Sequence, residues 1–116
     1  MTMESHRSLR RTDVTKYPVT QIALMVASEF LRASSRAQYP QIVHGCFARA
    51  RELMGILETM TLEENVAADL KPIYELCTED KLMVADQLSV DAVRAMSQGL
   101  AQSFERASEG LKEHHA

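Results

Sequence analysis

The sequence predicts an all-α protein, an antiparallel up-down-up-down four-helix bundle carrying a flexible N-terminal arm. Three observations support this. The 116 residues include only four glycines and three prolines, so turn chemistry is scarce, whereas the helix formers Ala, Leu, Glu, Gln, Met and Arg abound. Apolar residues recur every three or four positions in four successive stretches. The connections between those stretches are short, which makes sequential helices antiparallel neighbours. Fractions of 46% hydrophobic and 25% charged residues are those of an ordinary globular chain of single-domain length.

Residues 1–16 lack apolar periodicity and are rich in Ser, Thr and Arg, a composition that cannot bury enough surface to offset ordering entropy. They are read as a flexible basic arm, and residues 17–113 as the bundle. Pro18 suits a first helical turn, because its missing N–H has no partner there anyway, and the first helix is predicted over 18–37. Tyr39-Pro40 ends it and starts the second, since proline disfavours helical backbone at the residue before it. The second helix carries the stripe Val43, Cys46, Phe47, Ala50, Leu53, Met54, Leu57 and Met60. Thr61-Leu-Glu-Glu64 forms a capping box for the third. Its stripe is Val66, Leu70, Ile73, Cys77, Val84 and Leu88, interrupted only where Asp80 and Lys81 fall on an apolar position. The phase held across Pro72 predicts one long helix bent at that proline, with two shorter helices as the alternative. Ser89 is placed as an N-cap and Asp91 in the first turn of the last helix, whose stripe is Val93, Met96, Leu100, Phe104, Ala107 and Leu111.

Charge excludes more than it assigns. Residues 1–16 hold four basic against two acidic side chains, a net of +2, while residues 58–91 hold nine acids against two lysines, a net of −7. A field of that sign repels phosphate, so nucleic-acid binding is not expected. No apolar stretch approaches the ~18 residues of a membrane span, and Met1-Thr-Met-Glu-Ser-His lacks the apolar core of a secretory signal, so the chain is expected to be cytoplasmic. Cys46 and Cys77 are too few and too far apart for a zinc ribbon or a redox CxxC pair. His44 points about 160° around the helix from Cys46, so a shared metal ion is not expected. His114 and His115 lie at a terminus and carry no mechanism. Tyr74, Glu75 and the neighbouring acids have no nucleophile or phosphate-cradling glycine loop beside them. A helical phosphotransfer domain would need a lysine close after its histidine, and His44 has none. Neither enzymatic activity nor a cofactor is expected.

Two features exceed what a bundle needs. In the first helix Ile22, Val26, Phe30 and Ala33 form a core stripe, but Ala23, Leu24, Ala27 and Leu31 widen the apolar arc to about 200°. In the second, Gly45, Ala48, Glu52 and Gly55 recur on the face away from the core. Glycine inside a helix costs about 1 kcal/mol relative to alanine, so this strip either allows another backbone to approach, relieves crowding within the bundle, or is neutral. An apolar arc beside small residues is a surface on which amphipathic helices of a partner can lie. Leu24, Ala27, Leu31, Gly45, Ala48, Glu52 and Gly55 are therefore the predicted partner-binding residues.

The chain also resembles the flagellar secretion chaperones of the FliS family. Ala50-Arg-Glu-Leu-Met-Gly-Ile-Leu57 is similar to the end of that family's second helix, Asn65-Val-Ala-Ala-Asp-Leu-Lys-Pro-Ile-Tyr-Glu-Leu76 to its third, and Ser89-Val-Asp-Ala-Val-Arg-Ala-Met96 with Leu100 and Phe104 to its last; Ile22-Ala-Leu-Met25 is similar to the start of its first. The likeness spans about residues 20–107. The chain departs from the family at Gln38-Tyr-Pro40, where a longer hairpin with a Gly-Asp turn is usual, at Pro72, and at Ala107, near a late tryptophan position. The resemblance implies a cytoplasmic export chaperone that wraps the disordered C-terminal part of flagellin as helices and hides its apolar stripe before export. The alternatives are a homodimeric structural bundle, in which the apolar arc of the first helix closes a two-fold interface, and a small regulatory module whose basic arm touches nucleic acid or an acidic partner.

Overall fold

The computed structural model describes residues 18–60 and 64–115. The predicted arm and the Thr61 end of the capping box lie outside the described residues. Within them all secondary structure is helical: α1 (Val19–Ser35), α2 (Pro40–Met60), α3 (Glu64–Leu76), α4 (Glu79–Met83), a 3-10 turn (Val84–Gln87) and α5 (Val90–His115). None of these helices is long and apolar enough to cross a membrane.

Pro18 stands just before α1 and not within its first turn. Its backbone is extended, with φ −59° and ψ 154°, and its carbonyl accepts the N–H groups of Gln21 and Ile22. At the other end the Arg36 N–H closes on the carbonyls of Arg32 and Ala33, and three residues later the Tyr39 carbonyl accepts from Ile42 and Val43 to begin α2 at Pro40. Proline thus opens the second helix where no N–H is needed. Ser89 caps α5, its Oγ accepting the Ala92 N–H at 3.1 Å.

The third helix departs from prediction. Pro72 sits inside α3 without ending it, and the interruption comes at Cys77–Thr78. Thr78 is extended at φ −66°, ψ 155°, and Glu79 and Asp80 follow it in the first turn of α4, where carboxylates favour the helix dipole. The break explains the gap that Asp80 and Lys81 left in the apolar stripe. Restarting the helix after Thr78 turns Leu82 and Ala85 into the core, and the predicted Val84 and Leu88 are left exposed. One unbroken helix through residue 88 would bury two different side chains and push Asp80 and Lys81 toward the interior.

α1 packs on both α2 and α5, α3 packs on α5, and α4 rests on α2. Three ring pairs tie these contacts together. Phe30 of α1 lies 5.6 Å from Phe47 of α2 and 6.1 Å from Phe104 of α5, and Phe104 lies 6.4 Å from Tyr74 of α3, centroid to centroid. Offset and tilted aromatic pairs at such spacings add to the stabilisation from burial. Both cysteines are free and buried among these side chains.

Candidate functional site

The wide apolar arc of α1 is answered mostly from within the fold. Glu29 faces α2, where the Arg49 Nε–H donates to both of its carboxylate oxygens at 3.2 Å. Ala27 lies about 160° from Glu29 around the helix, on the flank turned toward α5. It is 2% exposed, with Ala23 and Ser34 buried beside it. On α5, Ser97, Ala101 and Ser108 are buried in turn, and the Ser108 hydroxyl donates to the Thr20 carbonyl of α1 at 3.2 Å. Small side chains on both helices let the two backbones come close. A helix gripped from two sides needs two apolar flanks, which is why its arc exceeds one stripe. Ala27 therefore belongs to the core and presents no surface to a partner, a correction to the sequence reading.

Leu24 and Leu31 remain outside that contact. They are 40% and 47% exposed and, seven residues apart, lie two turns from each other on one edge of α1. Gly45, Ala48, Glu52 and Gly55 follow one another on the outward face of α2, with Ala48 and Gly55 exposed and Gly45 and Glu52 half-buried. No element of the described residues presses on this strip at its glycines. A Cβ at Gly55 would meet nothing within 4 Å, and one at Gly45 would meet only the flexible end of Arg49 at 3.5 Å. Crowding inside the fold does not account for these glycines. The strip and the leucine edge are separate faces, divided by exposed Ser28 and Arg32 and by the Glu29–Arg49 seam.

The upper end of the α2 strip runs into a surface feature that the sequence reading missed. His44 Nε2 lies 2.5 Å from Asp86 Oδ1 of the 3-10 turn, bridging α2 to the segment after α4. On one side of the bridge is a shallow cleft reaching Gln41 and Gly45. On the other is a cleft of about 400 Å³ whose apolar lining is Phe47, Ala48, Leu82 and Met83, with Arg51 and Glu79 at its edge. Arg51 and Glu79 approach to 3.9 Å. The one advance sign of this feature was the charged interruption at Asp80 and Lys81, which marks the segment as something other than continuous core helix.

Burial argues against chemistry at the cysteines. Burial pushes the Cys77 thiol up to about 12, against the weaker pull of Arg51 and Lys81. Burial and the Glu29 carboxylate raise Cys46, outweighing Arg49 and Arg32. Raised thiols are poor nucleophiles and poor metal ligands. Burial, aided by Glu58, also raises the Tyr74 phenol, whose buried hydroxyl has no hydrogen-bond partner among the described residues. Among the described residues no three His, Cys, Asp or Glu side chains converge as a metal site would require. What the surface offers is apolar area without a cover among the described residues. No family model, curated protein or solved structure matches the chain.

Proposed function

We propose that the protein is a helix-binding module of the export-chaperone kind, holding an amphipathic, otherwise disordered segment of a client in the cytoplasm so that it cannot assemble early. The observation that carries this reading is the half-exposure of Leu24 and Leu31 at two-turn spacing on one edge of α1, the register at which an amphipathic helix lays its own apolar residues. The resemblance to the FliS family makes flagellin, or a flagellar relative, the first client to test. We read the helices as a four-membered antiparallel bundle in which α3 and α4 together take the third place, supported by the packing of α1 between α2 and α5 and of α3 on α5.

A client that wraps the bundle as more than one helix would use both faces: the leucine edge for apolar burial and the Gly45, Ala48, Glu52 and Gly55 strip for close backbone approach. Its ordering entropy is offset by the area it buries, at about 25 cal/mol per Å² before association costs. Co-purification with a flagellin C-terminal segment, followed by light scattering, tests the reading: a one-to-one complex supports it. The alternative, a homodimeric bundle, draws on the same leucine edge, which would pair with itself about a two-fold axis. A stable dimer that takes up no client would favour that reading.

A further inference from the structure

The surface between α2 and the chain from Glu75 to Asp91 is a second apolar region, and its charge tells what kind of partner fits it. Met83 is 48% exposed beside the Phe47, Ala48 and Leu82 cleft, with Glu79 at the cleft's edge. A side chain of this size half in water over an apolar cleft makes a patch with no cover among the described residues. Residues 75–91 carry five acids, Glu75, Glu79, Asp80, Asp86 and Asp91, against Lys81 alone, a net of −4. The groups facing them from other elements are His44 on Asp86 and Arg51 on Glu79, while Arg94, one turn along α5, pairs with Asp91. The Lys81 ammonium is engaged by the Glu75 backbone carbonyl at 2.6 Å. Among the described residues no cation lies within ion-pair distance of the Glu75 and Asp80 carboxylates, and both residues are exposed. Counting Arg51 and Arg94 in full, the patch remains negative.

We infer that this patch docks a cationic amphipathic helix of another protein, separately from the leucine edge of α1. Its apolar residues would cover Met83 and enter the cleft of Phe47, Ala48 and Leu82, and its lysines or arginines would lie against Asp80 and Glu75. Anionic surfaces, whether a membrane or a nucleic acid, are repelled from the same place. Opposite charges of this kind steer encounter and select the partner more than they add affinity, so discrimination between peptides is the sharpest readout.

The test is fluorescence anisotropy of the full-length protein with two labelled helical peptides that share one leucine pattern, one carrying lysine and the other glutamate on the polar face. The lysine peptide is expected to bind at least about tenfold more tightly and to weaken as ionic strength rises from ~0.05 to ~0.5 M. Met83→Glu and Asp80→Lys should each weaken it about tenfold or more, and Leu31→Glu should leave it unchanged. Both altered side chains are exposed, so the fold tolerates the changes, which unchanged circular dichroism checks. Equal binding of the two peptides, no binding of either, or loss on Leu31→Glu with retention on Met83→Glu would each overturn the proposal. So would a protein dimer that dissociates on Met83→Glu, which gives the patch to a second copy. Amide exchange that accelerates only in residues 1–16 on Asp80→Lys would overturn it too, assigning the patch to the chain's own basic segment.

Discussion

His44 on α2 and Asp86 on the 3-10 turn, 42 residues apart in sequence, meet at 2.5 Å and form the polar tie between the second helix and the short elements that follow α4. Their side chains are 34% and 51% exposed, so solvent screens the pair and its net contribution is small, about 0.5 kcal/mol. His44→Gln and Asp86→Asn should each lower stability by less than about 1 kcal/mol, and the double variant should cost less than the sum of the two. Urea unfolding of the four proteins measures this. Strict additivity would mean that the two side chains do not interact in solution.

The division of the third helix makes a sharper prediction. Leu82 is buried and Leu88 exposed, the reverse of what an unbroken stripe through Leu88 requires. Leu82→Ala should cost about 2–4 kcal/mol as a core truncation, and Leu88→Ala within about 0.5 kcal/mol of nothing. A larger loss at Leu88 than at Leu82 would restore the continuous helix.

Gly55 stands in an exposed helix interior with open space around the position of a Cβ. Gly55→Ala should therefore stabilise the protein by about 1 kcal/mol through helix propensity alone. Thermal unfolding decides it, and a loss of stability would reveal a close neighbour.

The buried thiols set the response to alkali. In the fold Cys77 titrates at about 12 against an ordinary value of 9.0, so the native state keeps a proton that the unfolded chain gives up. That contribution to stability is whole below pH 9.0 and declines as pH rises from there toward 12. Cys46 and Tyr74 are shifted upward as well and act in the same direction. Cys77→Ala should cost about 1 kcal/mol or slightly more near neutral pH, and its difference from the parent should shrink with rising pH. A difference that stays constant from pH 8 to 11 would show a thiol that is not buried. Native Cys77 should also react slowly with thiol reagents.

Periodicity made the helices legible because each stripe records which side of a helix meets the core. The α2 stripe from Val43 to Leu57 is buried as read, with Ile56 in addition. It could not show how many neighbours a helix has. The arc of Ala23 and Ala27 looked like surplus surface, yet it is the second flank of a helix packed between α2 and α5. The break at Thr78 was equally hard to read, because nothing there is a proline or glycine. The proline that is present, Pro72, sits on the exposed side of α3, where the carbonyl it leaves unpaired can turn to water. His44 and Asp86 come together only once that break has redirected the chain. Long-range pairs of this kind leave no local pattern.

On the proposed function, Leu24 and Leu31 form a face for an amphipathic helix. Titration calorimetry of a flagellin C-terminal segment against the parent and Leu31→Glu tests it most directly, with Ala48→Arg and Gly55→Leu reporting on the α2 strip. The parent should bind saturably, Leu31→Glu should lose about tenfold or more, the strip variants should lose less, and all three should unfold at midpoints close to the parent. Equal affinity of parent and Leu31→Glu would contradict the assignment of the face, and no binding by the parent would contradict the function itself.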